Sequence, residues 1–200
     1  MLALSPISAL AQEMAAIFAT EGREDADLTG VELTTGLWPE GLFHVPMALE
    51  AAMRACLATS GHPCAAAIEA AIPMTPWGTN PVADRMLDKE AAMIAVATLL
   101  DPEGPMISPR FRAGLLFQRP GTYYRLHNHD AVETYAIVAG SADWIAGDDR
   151  RIRRAGDVIH HPSRMPHAFR AGPEGFVAIW RWSGDINSHS YTFLPDPEAD

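Results

Sequence analysis

Two histidines and a glutamate lie close together in the second half of the sequence, at a spacing that suits metal binding. One residue separates His127 from His129, Glu133 follows shortly after, and His167 is a later fourth candidate. Side chains alternate between the two faces of a strand, so His127 and His129 should point the same way. Three imidazoles and one carboxylate suit Zn, Fe, Mn, Co or Ni, and contain too much nitrogen for a Ca or Mg site. The sequence therefore predicts one divalent transition metal, whose identity it leaves open.

The residues around these candidates resemble the two cupin motifs. The first motif is matched at every fixed position by Gly121, His127, His129, Glu133 and Gly140. The second is matched in part, by Gly156, Pro162 and His167. Arg164 stands at its glycine and Ala171 at its asparagine, and these departures concern the turn before His167 and a terminal side-chain contact, not the ligand. The resemblance implies a cupin fold, a small antiparallel β-barrel or jelly roll.

The second half of the chain has the texture of short strands separated by turn residues. The candidate strands are 111–118, 123–129, 133–139, 141–146, 150–154, 157–160, 165–170, 176–182 and 189–194. Two runs have the composition of turns, Gly147-Asp148-Asp149 and Gly172-Pro173-Glu174-Gly175. Many short strands at this spacing again predict a small antiparallel barrel or jelly roll.

The first half of the chain is predicted to be helical. A first helix opens at Ser5-Pro6 and ends at Gly22, and further helices are predicted over residues 48–59, 63–72 and 82–100. The turn-rich run from Asp101 to Pro105 ends the last of them. We therefore expect a mainly β protein with an α-helical N-terminal part. Residues 1–105 would form a helical extension packed on the barrel, and residues 106–200 the cupin barrel with its metal site.

Composition narrows the class of protein. A chain of 200 residues with 48% hydrophobic and 20% charged residues is typical of a folded globular protein. The formal charge of −10 argues against broad nucleic-acid binding, and we interpret the basic run 150–154 as a solvated strand. No uncharged apolar window is long enough to span a membrane, so we expect a cytoplasmic protein. Cys56 and Cys64 are interpreted as small buried hydrophobic residues.

Tyr135 is the candidate catalytic residue. It lies two positions after Glu133 and so shares its face of the strand. A phenol has an unperturbed pKa of about 10, so a tyrosine acts as a base only where a nearby cation stabilises its phenolate. The bound metal could supply that charge. The alternative is a core tyrosine whose hydroxyl is merely hydrogen-bonded.

Other aromatic side chains could line the same space. Alternation from His127 selects Tyr123 as the inward residue, whereas a β-bulge would select Tyr124 instead. Trp180 and Trp182 share one face of a late strand, and Tyr191 follows. Aromatic faces attract a desolvated cation by about 1 to 2 kcal/mol each. These residues are therefore candidates for substrate binding, with filling of a hydrophobic core as the alternative.

Two adjacent histidines, His160 and His161, lie between Gly156 and Pro162 of the second motif. By alternation one of them could face the cavity. The preferred interpretation is that they face solvent or support the metal ligands.

The helical first half, the segment HNH-x3-E-x-Y and the late histidine together resemble the cupin-type dimethylsulfoniopropionate (DMSP) lyases, particularly the DddQ-like group. The likeness is firm over the cupin half and loose over the helical half. It implies cleavage of DMSP to acrylate and dimethyl sulfide, with metal ligands at His127, His129, Glu133 and His167. It also implies a tyrosine base at Tyr135 and substrate contacts at Tyr124 and Trp182.

The expected partner is a small zwitterionic substrate. The expected reaction is removal of the proton α to the carboxylate by Tyr135, followed by β-elimination of dimethyl sulfide. Because cupins host many activities, a metal-dependent dioxygenase and a non-catalytic small-molecule-binding cupin remain alternatives. A homodimer is a candidate oligomer, since antiparallel cupin sheets often dimerise.

Overall fold

The computed structural model describes residues 4–38 and 48–198 of the chain. The helices of this part are α1 Pro6–Ala19, α2 Glu24–Thr35, α3 Glu50–Ala58, α4 Pro63–Ala71 and α5 Asp88–Ala91. The strands are β1 Trp77–Gly78, β2 Ile94–Asp101, β3 Met106–Ile107, β4 Arg112–Gln118, β5 Tyr123–Asn128, β6 Val132–Ala146, β7 Asp149–Arg154, β8 Val158–His161, β9 His167–Ser183 and β10 Thr192–Phe193. This is the mainly β architecture with a helical N-terminal part that the sequence predicts. None of the described helices has the length and apolar character needed to span a bilayer.

One largely antiparallel sheet contains all ten of the described strands. Its two long strands, β6 and β9, pair with each other along most of their length. The first half of β9 also pairs with β5 and its second half with β4, while β8 pairs with the start of β6. The two long strands therefore link the strands at the two ends of the curled sheet. As a result, the starts of β6 and β9 lie close to β5.

Alternate residues of the strands fill two separate cores. Inward-facing side chains such as Val96, Leu116, Phe169 and Phe176 form the inner core. Outward-facing residues of the same strands pack against the helices, where Phe18 of α1 belongs to the outer core. The helices thus cover the outside of the sheet and leave its interior for the aromatic and polar residues described below.

A fully buried arginine attaches the helices to the sheet. Arg181 on β9 donates from Nε and Nη2 to the carboxylate of Glu21, at 2.7 and 2.6 Å, and its Nη1 lies 3.1 Å from Asp25. Ser183 donates to Asp25 at 2.6 Å. Although partial burial raises the pKa of Asp25, the hydrogen bond from Ser183 and the charge of Arg181 lower it to about 2. The buried cation therefore has two carboxylate partners from the region around α2.

The helix predicted over residues 82–100 is wrong. Asp88–Ala91 forms one short helix, and Ile94–Asp101 is a strand that pairs antiparallel with β4. Nearly every residue of this strand is buried because helices cover one face and the inner core covers the other. A strand buried on both faces has no two-residue alternation, so an apolar run of this kind cannot be told from a helix by periodicity. The sheet thus has strands on both sides of residue 105, and the proposed division of the chain there stays a prediction.

The turn predicted at Gly172-Pro173-Glu174-Gly175 is also wrong, since β9 continues through it. Gly175 has a φ of +75°, and a Cβ at Gly140 would clash with its carbonyl oxygen. The pairing of β6 with β9 shifts register near Gly140. Glycines at this point therefore bend a continuous strand instead of ending it.

The second cupin motif keeps its turn despite its altered glycine position. Arg164 has a φ of +66°, a left-handed conformation that usually favours glycine. Its N–H donates to the carbonyl of His129 at 2.9 Å, and its side chain pairs with Asp130. These contacts hold the turn that leads into His167.

Candidate metal centre and cavity

The four predicted ligands come together inside the sheet. His127 lies on β5, His129 just beyond its end, Glu133 near the start of β6 and His167 at the start of β9. Each has at most 2% of its surface exposed. The ring nitrogens of His127, His129 and His167 lie within 4.8 Å of one another, and Glu133 groups in the same way with His161 and His167. These clusters have donor atoms that could hold a metal ion.

Distances around Glu133 fit the edges of a coordination shell. Oε2 of Glu133 lies 3.2 Å from Nε2 of His129 and 3.1 Å from Nε2 of His167. Two ligand atoms that are each about 2.1 Å from an ion lie about 3.0 to 3.4 Å apart in octahedral or tetrahedral geometry. The observed separations fall in this interval.

The three candidate histidine ligands share one hydrogen-bonding pattern. Nδ1 of His127 lies 2.8 Å from the carbonyl of Arg125, Nδ1 of His129 lies 3.1 Å from that of Ala131, and Nδ1 of His167 lies 2.9 Å from that of Met165. A carbonyl only accepts hydrogen bonds, so each Nδ1 carries a proton and donates it. In a neutral ring, Nε2 then presents a lone pair towards the centre of the cluster. Supporting hydrogen bonds of this kind are typical of metal-binding histidines.

This arrangement places lone pairs against a carboxylate. The Nε2 atoms of His129 and His167 face Oε2 of Glu133, and Nε2 of His167 has no hydrogen-bond partner. Burial, and next the proximity of His167, lower the pKa of His127 well below its usual value, which favours its neutral form. Where the facing Nε2 atoms carry lone pairs, a cation between them and the carboxylate would satisfy both. The donor set thus fits a divalent ion of the nitrogen-preferring class.

Glu133 has further partners among the aromatic residues. Nε1 of Trp182 donates to its Oε1 at 2.6 Å, and Nδ1 of His161 lies 3.6 Å from its Oε2. His161 is 1% exposed, so it does not face solvent. Its position could have been found from sequence only by knowing that β8 pairs with β6, which sets His161 opposite Glu133.

A cavity opens beside this cluster. It contains about 530 Å³ of space free of protein atoms, counting its open mouth. The lining residues are Asn80, Pro81, Val82, Val96, Arg112, Leu116, Tyr124, Glu133, Tyr135, Trp180, Trp182, Ser188 and Tyr191. The antiparallel register sets Glu133 opposite Trp182 and Tyr135 opposite Trp180, which explains why all four face the same space. The predicted positions of Tyr135 and the two tryptophans inside the barrel agree with this geometry.

The choice between Tyr123 and Tyr124 is decided by a β-bulge. In the pairing of β5 with β9, Tyr124 is opposite Phe169 and His127 is opposite His167, so one extra residue lies on β5 between them. The bulge reverses the alternation, and Tyr124 instead of Tyr123 shares the inner face with His127. Tyr123 lies outside the cavity, with its hydroxyl donating to Asp196 at 2.9 Å. Of the two candidates that the sequence left open, Tyr124 faces the cavity and Tyr123 does not.

The comparison with protein families decides which kind of cupin this is. The family model described as dimethylsulfoniopropionate lyase matches residues 43–178, which is more than half of the chain. The chain belongs to the DMSP lyase family. The matched range includes the four candidate ligands, Tyr135 and the inward-facing Tyr124.

DddQ proteins are among the proteins that this chain resembles. The chain is 35% identical to DMSP lyase DddQ from Ruegeria pomeroyi over 101 residues, which is half the length of each protein. It also resembles the crystal structure of R. pomeroyi DddQ, with 26% identity, a TM-score of 0.67, and coverage of 94% of this chain and 98% of that one. A solved structure from a study of the DMSP lyases RdDddP and RnDddQII shares the fold, with 20% identity, a TM-score of 0.66, and coverage of 96% and 100%. The cupin fold with a helical N-terminal part is therefore confirmed.

Tyr191, which the sequence marked only as following the two late tryptophans, lines the cavity. Its ring stacks on that of His127, with centroids 4.9 Å apart, and its hydroxyl lies 2.5 Å from that of Tyr124. Asn80 also donates to the Tyr124 hydroxyl, at 3.2 Å. Burial raises the pKa values of Tyr124, Tyr135 and Tyr191. In the absence of a cation, the three phenols therefore stay protonated. The contact between Tyr124 and Tyr191 depends on the pairing of β5 with β10, which sequence spacing does not reveal.

Proposed function

We propose that this protein is a metal-dependent lyase that cleaves DMSP to acrylate and dimethyl sulfide. The observation that carries the proposal is the convergence of Nε2 of His129 and Nε2 of His167 on Oε2 of Glu133, at 3.2 and 3.1 Å, beside an aromatic cavity that contains Tyr135. Membership of the DMSP lyase family and likeness to DddQ support the choice of substrate.

The ligands in this proposal are His127, His129, Glu133 and His167. The Nδ1 hydrogen bonds to backbone carbonyls fix the three rings so that their lone pairs meet. When bound, a divalent ion of the Zn, Fe, Mn, Co or Ni type would supply positive charge against the negative charge that develops on the substrate carboxylate as the α proton leaves. The residues suit several of these metals.

Tyr135 is the proposed base. Burial, and next the charge of Glu133, raise the pKa of Tyr135 well above its usual value, so its phenolate requires a nearby cation. The phenolate oxygen would take the proton α to the substrate carboxylate. The electron pair of that C–H bond would form the double bond of acrylate while the C–S bond breaks, and dimethyl sulfide would leave with the electrons of the C–S bond.

The sulfonium group would lie against the aromatic walls. Trp180, Trp182 and Tyr124 line the cavity, and each aromatic face contributes about 1 to 2 kcal/mol to binding a desolvated cation. This attraction disappears when the sulfonium becomes neutral dimethyl sulfide, which favours its release. The predicted cytoplasmic location and homodimer stay predictions.

The direct test is to measure acrylate and dimethyl sulfide under anaerobic conditions, with protein stripped of metal and then reloaded with each of the five metals. We expect product only with loaded protein, and its loss in Tyr135→Phe but not in the matched control Tyr123→Phe, whose hydroxyl lies outside the cavity. Consumption of substrate that requires oxygen and survives Tyr135→Phe would favour a dioxygenase. Binding of DMSP without any product would favour a non-catalytic binding cupin.

A further inference from the structure

A fifth buried histidine lies against the candidate metal ligands. His161 on β8 is directly opposite Glu133 on β6. Its ring stacks on that of His167, with centroids 4.2 Å apart and planes 13° from parallel. Its Nδ1 is buried, has no hydrogen-bond partner and lies 3.6 Å from Oε2 of Glu133. By position alone, Glu133, His161 and His167 could therefore form a second group of metal ligands.

A tryptophan fixes the protonation of this ring. Nε1 of Trp144 lies 3.1 Å from Nε2 of His161, and both atoms are buried. An indole N–H is only a donor, so Nε2 of His161 must be the acceptor and carries no proton. The proton of the ring is then on Nδ1, the atom that faces Glu133.

His161 is thus turned end for end relative to the candidate ligands. In His127, His129 and His167, the protonated Nδ1 points away to a carbonyl and the lone pair of Nε2 points to the centre. In His161 the lone pair points away to Trp144 and the proton points to the centre. A protonated nitrogen cannot bind a metal, but it can donate to a carboxylate.

We propose that His161 is a positioning residue, which donates Nδ1–H to Oε2 of Glu133 and so fixes this carboxylate for metal binding, while Trp144 keeps His161 out of the ligand set. This inference rests on the metal site of the proposed function. The present separation of 3.6 Å is too long for a hydrogen bond. We expect it to shorten when the ligands close around an ion, as polar contacts in active sites commonly do on loading.

The test is the affinity of the metal-free protein for Zn(II) and Co(II), measured by titration for four variants. We expect the dissociation constants to rise by about 10- to 100-fold in His161→Ala, the usual effect of removing a partner of a metal ligand. His161→Asn, whose amide N–H can occupy the position of Nδ1, should restore most of the affinity. Trp144→Phe should change the Co(II) absorption spectrum, because the freed ring can turn and compete as a ligand. His160→Ala is the matched control, since His160 is the next residue but contacts Thr134 instead of Glu133, and it should bind both metals like the wild type.

Two results would overturn the proposal. One is wild-type affinity in His161→Ala; the other is a Co(II) spectrum of His161→Ala that has lost a nitrogen ligand, since His161 would then be a ligand itself. If a variant does not fold, long-range ¹H–¹⁵N spectra of wild-type protein answer the same question. We expect His161 to carry its proton on Nδ1 with and without Zn(II), and a proton on Nε2 or a metal-bound Nδ1 would contradict the proposal. These measurements use no DMSP. A failure of this proposal can therefore be distinguished from a failure of the lyase assay.

Discussion

Trp182 donates a hydrogen bond of 2.6 Å from its indole nitrogen to Oε1 of Glu133. The same indole ring lines the cavity beside the candidate metal ligands. The proposed function therefore gives one side chain two separable roles: an aromatic face for the substrate, and a donor that orients the carboxylate for the metal.

The two functions can be separated with Trp182→Phe, which keeps an aromatic face but loses the N–H. We expect affinity for Zn(II) to fall by about tenfold, because Glu133 loses the donor that orients it. Trp180→Phe is the control, since the indole N–H of Trp180 donates to the carbonyl of Leu115, away from Glu133. Equal metal affinity in both variants, measured by competition with a chelating dye, would contradict this role of Trp182.

Removal of the Tyr135 hydroxyl should separate proton transfer from metal binding. We expect Tyr135→Phe to lower kcat for acrylate formation by about 100-fold or more, the usual contribution of a general base. Its metal content should equal that of the wild type, because Tyr135 is not among the proposed ligands. Retention of more than a tenth of kcat would exclude Tyr135 as the sole base.

The β-bulge on β5 predicts opposite results for two neighbouring tyrosines. Tyr124→Phe should impair turnover of DMSP, because this residue lines the cavity and its hydroxyl contacts Tyr191. Tyr123→Phe should leave kcat/KM unchanged and lower the free energy of unfolding by about 1 kcal/mol, through loss of the hydrogen bond to Asp196. Steady-state kinetics and urea unfolding measure these two effects. Loss of turnover in Tyr123→Phe but not in Tyr124→Phe would contradict the assignment of Tyr124 to the cavity.

The buried pairing between the helices and the sheet should be costly to break. Arg181→Ala leaves Glu21 and Asp25 without their buried partner, so we expect the free energy of unfolding to fall by about 3 to 5 kcal/mol. Urea denaturation measures this change. Arg150→Ala, which removes an exposed cation paired with Asp143 and Glu198, is the control and should change the free energy of unfolding far less.

The same contact predicts an acid-sensitive contribution to stability. The pKa of Asp25 is about 2 in the folded protein, below its ordinary value of 3.8. A lowered pKa stabilises the folded state fully above the ordinary value, and this contribution is lost as pH falls from about 4 towards 2. Asp25→Asn should therefore show a smaller loss of stability over this interval than the wild type when unfolding is followed at each pH.

Local patterns were enough to group the candidate ligands that the structure brings together. His127 and His129 are two residues apart, and Tyr135 follows Glu133 into the cavity by the same two-residue spacing. What the sequence could not supply is pairing between strands. The bulge that turns Tyr124 instead of Tyr123 towards the cavity depends on how β5 pairs with β9. His161 lies opposite Glu133 only because β8 pairs with β6.

The misassigned helix over residues 82–100 has a related cause. The strand from Ile94 to Asp101 is buried by helices on one side and by the inner core on the other. Its apolar run therefore reflects two neighbours that are distant in sequence, and no local pattern distinguishes it from a helix.

The central claim is that His127, His129, Glu133 and His167 hold one metal ion, and anomalous X-ray scattering from crystals of Zn-loaded protein tests it most directly. We expect a single anomalous peak at about 2.0 to 2.2 Å from Nε2 of each histidine and from a carboxylate oxygen of Glu133. Crystals grown with ample zinc that show no peak among these four side chains would contradict the account.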